Sequence, residues 1–296
     1  MTILRILHVL LALACGGAAH SQNYIRYHQR SLQAQELIAS NSNDRALVVL
    51  GRLEKKYGLM PTETFALALC QAATGDTTAA RRSYLKCIEQ RGHWYWLEVT
   101  PPPLRSAQDT GWYNSVLAES LALCQTIPRY VDGPNPGIPT VVSHLNIRHQ
   151  YVLDSMAMLG ADQQKSAQRI YDTLIIQHDL LLDSIINGRV PFPSIATYGI
   201  NEEFETFLLH CSPQMKHRNE HLLKRWLEQG LIYPVTYAFC LDDQAFHKGE
   251  PFPYGCFSDL KPEQILPGYE KRRASIGMGD QQLENLRFHR GSWQSE

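Results

Sequence analysis

A histidine stands in the middle of an apolar stripe in the segment DTLIIQHDLLLDSIING, residues 172–188. At about 100° per residue, Leu174, Leu182 and Ile185 project on the same side of a helix as His178. Burying an imidazole without a hydrogen-bond partner costs about 1–3 kcal/mol. The stripe therefore predicts that His178 is buried and pairs with a polar group of another segment. Three side chains are the candidate partners: His210, Asp242 and Tyr254.

Two roles are open for His178. In the first it is a core residue that needs only a hydrogen-bond partner. In the second, His178 or His210 acts as a general base beside Asp242, in a hydrolase or a metal-dependent enzyme. The residue types support both roles, so whether the protein is an enzyme stays open. The candidate catalytic residues are His178, His210, Asp242 and Tyr254.

The segment HRNEH, His217 to His221, matches the His-x-x-Glu-His signature of one class of zinc proteases. Two histidines four residues apart on a helix can bind one metal ion. In a helix over 214–229, however, these histidines project on the side of Lys224 and Glu228, opposite the apolar side chains. We therefore predict a solvated pair here, and we predict no metal site and no cofactor for the chain.

The N-terminus has the layout of a secretory signal peptide. Residues 1–21, MTILRILHVLLALACGGAAHS, contain Arg5, a short apolar run and small residues before the expected cleavage after Ser21. We expect an exported protein, periplasmic or extracellular, with a lipid anchor on Cys15 as the minor alternative. The apolar run is shorter than the roughly 20 residues of a membrane-spanning helix, and no later segment qualifies.

Composition excludes two classes of partner. The chain has 296 residues, of which 44% are hydrophobic and 19% charged, which is typical of globular proteins. Its 28 basic and 29 acidic side chains leave a net charge near zero. A near-neutral chain lacks the basic surface that nucleic acids or anionic membranes require.

Six cysteines follow the leader, at irregular spacing and without a Cys-x-x-Cys pair. This pattern favours small buried apolar side chains over a disulfide framework or a thiolate zinc site. If one bridge forms, we expect Cys70 with Cys87, because they lie on neighbouring predicted helices. The six are Cys70, Cys87, Cys124, Cys211, Cys240 and Cys256.

The first half is predicted to be helical, with helices near 24–39, 44–57, 62–74 and 77–91. The last two resemble a tetratricopeptide-type helical hairpin, a resemblance that covers about one and a half repeats. Such repeats stack into concave surfaces, which implies a protein or peptide partner, although so short an array favours a scaffold role. The residues that carry the resemblance are Leu67, Ala68, Gly75, Asp76, Ala79 or Ala80, Tyr84 and Ile88.

The segment VDGPNPGIPT, with three prolines and two glycines, divides the chain. We expect a tetratricopeptide-like module over 22–130, a linker over 131–142 and a second helical domain over 143–296. Its helices are predicted near 143–159, 163–187, 201–211, 214–229 and 233–240. A Pro- and Gly-rich region follows, with a short pairing near 251–257 as its one strand signal. The fold class is therefore mainly α, with little or no β structure.

The second half also resembles an uncharacterised family of bacterial helical domains of unknown function, over roughly 146–257. The order of Asp-Gln, Gly, His, Asp and Tyr-Gly elements carries the resemblance. Residues at four family positions differ here: Ser166, Leu209, Asp243 and Phe257. The family has no assigned chemistry. The positions that match its pattern are Asp162, Gln163, Gly199, His210, Asp242, Tyr254 and Gly255.

Three functions are compatible with these features. The first is an exported binding or scaffold protein, with a protein or peptide partner on the N-terminal module. The second is the hydrolase or metal-dependent enzyme centred on His178, His210 and Asp242. The third is a purely structural surface protein. Convergence of the candidate residues on one site would distinguish the second from the others, whereas oligomeric state is not encoded in any motif.

Overall fold

The computed structural model describes residues 23–90, 111–126, 137–158, 161–190, 192–193, 202–257 and 260–280. These residues form twelve α-helices and one short 3₁₀ helix. Their one strand-like feature is an isolated parallel bridge between Phe252 and Ile265, so the predicted mainly α fold is confirmed. Among the helices described, none combines the length and apolar composition needed to cross a membrane.

Four helices open the fold within about two residues of their predicted bounds: α1 (Tyr24–Ala39), α2 (Asn43–Tyr57), α3 (Pro61–Ala73) and α4 (Thr77–Glu89). Local signals fix these bounds. Pro61 occupies the first turn of α3, where its missing N–H costs nothing. The carboxylate of Asp76 caps α4 by accepting a 2.9 Å hydrogen bond from the N–H of Ala79. Helix α5 (Trp112–Thr126) packs against α4.

Three helices follow: α6 (Gly137–Met158), α7 (Ala161–Ile186) and α8 (Glu202–His210). Helix α6 begins inside the segment that we predicted to be a linker, so the predicted helix start at residue 143 is wrong. The reason is the position of Pro139, which lies in the first turn of the helix. Backbone N–H groups there have no helical partner, so proline does not interrupt the helix.

The remaining helices are α9 (Pro213–Arg218), α10 (Glu220–Glu228), α11 (Pro234–Lys248) and α12 (Tyr269–Ile276), with the 3₁₀ helix at Pro262–Gln264. The single helix predicted over 214–229 is therefore wrong. It is interrupted at Asn219, whose side-chain amide donates a 2.9 Å hydrogen bond to the carbonyl of Met215. A short polar side chain of this kind competes with the regular helical ladder.

The N-terminal helices are joined to the C-terminal region through α1. The side-chain amide of Gln29 donates a 3.0 Å hydrogen bond to the carbonyl of Ser275, in α12. Directly after α12, Gly277 adopts a φ of +80°, and a Cβ at this position would lie 2.4 Å from the backbone of His28. Only glycine allows this close approach of the two segments.

No disulfide joins Cys70 and Cys87, the pair expected if one bridge were to form, because both are free and buried. The two side chains belong to different apolar clusters on the two sides of α3. Cys87 donates instead to the carbonyl of Pro61, at 3.4 Å. Buried apolar packing, the role favoured by the sequence, describes these two residues and also Cys211, Cys240 and Cys256.

Candidate metal centre

Three histidines from three helices meet in the C-terminal half of the protein. His149 comes from α6, His178 from α7 and His210 from the last turn of α8. One ring nitrogen of each histidine lies within 4.8 Å of the corresponding nitrogens of the other two. His149 and His178 have exposed fractions of 1% and 0%, and His210 is partly buried. The helices thus gather metal-binding side chains in a nearly dry environment.

Helical periodicity explains why these side chains point inward. Each histidine takes one position of a stripe that otherwise consists of apolar residues, so packing the stripe also buries the imidazole. The stripe of α6 contains Val142, Leu145, His149 and Val152, and that of α7 contains Leu174, His178, Leu182 and Ile185. The short helix α8 packs against both α6 and α7, which brings His210 to the other two rings.

The tautomer of His178 follows from its one hydrogen bond. Its Nδ1 lies 2.7 Å from the carbonyl oxygen of Leu174, one turn earlier in α7. A carbonyl oxygen can only accept, so Nδ1 carries the proton and Nε2 bears a free lone pair. Nε2 is buried and has no partner among the described residues. The predicted burial of His178 is confirmed, but the prediction that its partner belongs to another segment is wrong.

The other two rings leave matching nitrogens unpaired. His149 and His210 stack with their ring centres 3.8 Å apart and their planes within 5° of parallel. In the described part of the chain, the Nδ1 atoms of both rings are buried without a hydrogen-bond partner. Each such atom costs on the order of 1–3 kcal/mol. Three of them side by side are therefore unusual in a region that serves only as core.

Burial keeps all three imidazoles neutral at physiological pH. It is the main cause that lowers the pKa of His149 to about 4 and that of His210 to about 3. Neighbouring rings and the cationic Lys216 lower both pKa values further. Burial also lowers the pKa of His178. A metal ion binds the neutral form of histidine, so these ligands need no deprotonation near pH 7.

An ion pair lies beside the cluster. Lys216, in α9, has an exposed fraction of 1% and forms an ion pair with Asp243. Its ammonium group also donates a 2.7 Å hydrogen bond to the carbonyl of Leu209, the residue before His210. The ring of Tyr171 packs edge-on against that of His149, with the ring centres 4.8 Å apart. The cluster thus has a paired cation near His210 and an aromatic ring in contact with His149.

Two of the four predicted catalytic residues lie elsewhere. The carboxylate of Asp242 accepts hydrogen bonds from the backbone N–H groups of Tyr254, at 2.8 Å, and Cys256, at 2.6 Å. These hydrogen bonds hold the loop after α11 in place. Burial raises the pKa of the Asp242 carboxyl group. The ring of Tyr254 packs against Tyr237. The expectation that Asp242 or Tyr254 pairs with His178 is therefore wrong, because both belong to this loop contact.

The other matched positions add no side chain to the histidine cluster. Gln163 is exposed, and Gly255 lies in the loop held by Asp242, with a φ of +61°. The side chain of Asp162 and the whole of Gly199 are outside the described residues. His210 is thus the one matched position that contributes a ring nitrogen to the cluster.

The HRNEH segment is exposed, as its helical projection predicted. His217 lies in α9 and His221 in α10, and both rings face solvent. The break at Asn219 separates them, so they do not share one continuous helix face. His217 and His221 are therefore still interpreted as a solvated pair.

Sequence reasoning missed His149. Its signal was present, because His149 takes the middle of an apolar stripe on a predicted helix, as His178 does. The HRNEH match drew attention to histidines close together in sequence. The three that converge are 29 and 32 residues apart along the chain, a spacing for which no short motif exists.

Comparison of this chain with models of protein families, with curated proteins and with solved structures gives no match. The resemblances to tetratricopeptide repeats and to the uncharacterised bacterial family therefore stay predictions. Any functional conclusion depends on the chemistry of the histidine cluster itself.

Proposed function

We propose that this protein binds a transition-metal ion through His149, His178 and His210. One observation carries the proposal: three histidines from three helices each place a ring nitrogen within 4.8 Å of the other two, and each ring has one buried nitrogen without a hydrogen-bond partner among the described residues. A single ion between them would satisfy all three lone pairs at once. Zinc–nitrogen bonds are about 2.0–2.1 Å long, and the stacked rings of His149 and His210 have nearly parallel planes. These rings therefore have to turn as well as move closer for their lone pairs to point at one ion.

The ligand set favours a particular group of metals. Imidazole nitrogen suits zinc, copper, nickel and iron, whereas calcium and magnesium require oxygen ligands. Among the described residues, the group of side chains contains three histidines and no carboxylate. Zinc is the first ion to test, because it has no geometric preference from its d electrons and accepts histidine ligands readily.

The hydrogen bond of His178 supports the same conclusion. Metal-binding histidines commonly donate their second ring N–H to a carbonyl or carboxylate, which fixes the ring and the tautomer. The carbonyl of Leu174 does this for His178, at 2.7 Å. The free Nε2 therefore already has the protonation state of a metal ligand, on a ring that the backbone hydrogen bond holds in place.

The sequence predicts a binding protein, and this proposal names a metal ion as the ligand. Two residues proposed for the enzyme, His178 and His210, are also ligands in this proposal. The third, Asp242, instead accepts hydrogen bonds from a loop. The leader sequence supports an exported metal-binding protein. A protein or peptide partner on the N-terminal helices stays a separate prediction.

Calorimetric titration of the metal-stripped protein with zinc tests the proposal. We expect one ion per chain in the wild type. His149→Ala, His178→Ala and His210→Ala each remove a direct ligand, so each is expected to weaken zinc binding at least about tenfold.

His144→Ala is the matched control, because His144 lies on the same helix as His149 but is exposed. Its zinc affinity and stoichiometry are expected to equal those of the wild type. A water molecule bridging the three nitrogens would be the alternative way to satisfy them. In that case the wild type takes up no zinc beyond the level of the triple-alanine variant, and the proposal is wrong.

A further inference from the structure

The histidine cluster supplies fewer ligands than a closed metal site needs. Structural zinc sites have four protein ligands in a tetrahedron, whereas catalytic sites have three and keep the fourth position for water or substrate. In the part of the chain that the structure describes, no further histidine, cysteine or carboxylate lies within reach of the three rings. The ligand count therefore corresponds to the open class.

The cluster is more exposed on one side than on the other. His178 is fully buried, with Phe207 packed 5.3 Å from its ring. His210 and Tyr171 are only partly buried. The unpaired nitrogens are themselves buried, so a fourth ligand would have to enter past the partly exposed rings of His210 and Tyr171.

A buried cation lies next to that side. The ammonium group of Lys216 bonds to the carbonyl of the residue before His210. Asp243 pairs with it, but its positive charge still lowers the pKa of both His149 and His210. A fixed positive charge near an open metal position favours an anionic ligand there over a neutral one. Because the three imidazoles are neutral, the ion itself keeps its full charge and adds to this preference.

We propose that the metal ion keeps an exchangeable fourth position on the side of His210 and Tyr171, and that this position takes water or a small anion. The inference rests on the proposed metal site and goes further, because a site closed by four protein ligands would bind the metal equally well. Through this fourth position, a small anionic group of a substrate can bind directly to the ion.

Cobalt(II) reports the coordination directly, because its visible absorption depends on its ligands. The full-length protein is loaded with cobalt and titrated with azide, and the cobalt content is measured again after dialysis. We expect a saturable change in the visible spectrum at constant cobalt content. A spectrum that azide does not change would show a closed site and overturn the inference, whereas failure to take up cobalt would count against the metal site itself.

Two variants test the contribution of Lys216. Lys216→Met removes the positive charge, and we expect the azide dissociation constant to rise about threefold or more, as for loss of a partly screened charge. Lys216→Arg keeps the charge and is expected to stay within about twofold of the wild type. Equal azide affinity in all three proteins would overturn the role of the lysine. The wild-type titration alone decides whether the fourth position exists, even if a variant fails to fold.

Discussion

Two buried polar clusters of this protein differ in how their polar atoms are paired. In the first, the carboxylate of Glu63 in α3 is fully buried. It accepts hydrogen bonds from the hydroxyl groups of Tyr27 at 2.8 Å, Ser31 at 2.5 Å and Thr62 at 2.8 Å. In the second, the histidine cluster, three ring nitrogens have no donor or acceptor among the described residues.

The difference indicates different uses. The Glu63 cluster is supplied with its own donors, and Thr62 also contacts the hydroxyl of Tyr233, 171 residues further along the chain. Such a network joins segments and needs no ligand. The histidine cluster is nearly as buried, but one buried nitrogen of each ring has no partner among the described residues, so these nitrogens would gain most from an added ligand. Burial alone therefore does not identify a site, whereas burial with unpaired, converging atoms does.

Removing the centre of the first cluster should have the largest effect. Glu63→Ala leaves three buried hydroxyl groups without their acceptor, and we expect a loss of about 3–5 kcal/mol in the free energy of unfolding. Urea denaturation followed by circular dichroism measures it. Glu63→Gln keeps one acceptor oxygen and should lose less. A loss below about 1 kcal/mol for the alanine variant would contradict the structural role of this carboxylate.

The matched change in the second cluster is His178→Leu, in protein free of metal. Its Nε2 has no partner to lose, and the carbonyl of Leu174 lies within a helix, so leucine should cost about 1 kcal/mol or less. A cost equal to that of Glu63→Ala would show that both clusters are structural and would remove the distinction between them.

Metal binding should separate the clusters next. At a free zinc concentration about 100 times the dissociation constant, binding adds about 2.7 kcal/mol of stability. For a protein of this size that corresponds to a rise of about 5–10 °C in Tm, measured by calorimetry with zinc and then with a chelator. The Glu63→Gln variant should show the same rise from its own baseline. A wild type whose Tm does not respond to zinc would count against the centre.

Much of the fold follows from the sequence, because helix ends are decided locally. Pro61 and Asp76 mark helix starts through their own backbone and side-chain chemistry, and both appear where predicted. Where the predicted helix bounds were wrong, the cause is a local feature that hydrophobic periodicity does not reveal. Pro139 is tolerated in a first turn, and Asn219 interrupts a helix where its side-chain amide donates to the carbonyl of Met215.

The site was predictable only in its parts. The stripe around His178 predicted its burial, and that of His149 carried the same signal. Their convergence depends on how α6, α7 and α8 pack against one another, which the period of a single helix cannot specify. Asp242 illustrates the opposite error: a carboxylate chosen as a catalytic partner is bound to two backbone N–H groups of a nearby loop.

Acid should destabilise the metal-free protein through the histidine cluster. In the unfolded chain these rings bind protons near the ordinary pKa of 6.5, whereas in the folded protein the pKa of His149 is about 4 and that of His210 about 3. The unfolded state therefore binds more protons below pH 6.5, and stability falls as the pH falls towards 4. From pH 7.5 to 5.5 we expect a loss of about 3 kcal/mol from these two rings.

Urea midpoints measured across this pH range give the slope. Replacing both rings, in His149→Leu/His210→Leu, should flatten the dependence, whereas His144→Ala should leave it unchanged because that ring is exposed. A double variant as sensitive to acid as the wild type would place the effect outside the histidine cluster.

The smallest effect is expected at the histidines that most resemble a known motif. His217 and His221 are exposed on two helices separated by the break at Asn219. Exposed side chains away from caps and networks change stability by less than about 0.5 kcal/mol when replaced. The double variant His217→Ala/His221→Ala should therefore unfold within that margin of the wild type and bind zinc with unchanged affinity and stoichiometry. Loss of the bound ion in this variant would move the metal site to the HRNEH segment, and the unpaired nitrogens of His149, His178 and His210 would then need another explanation.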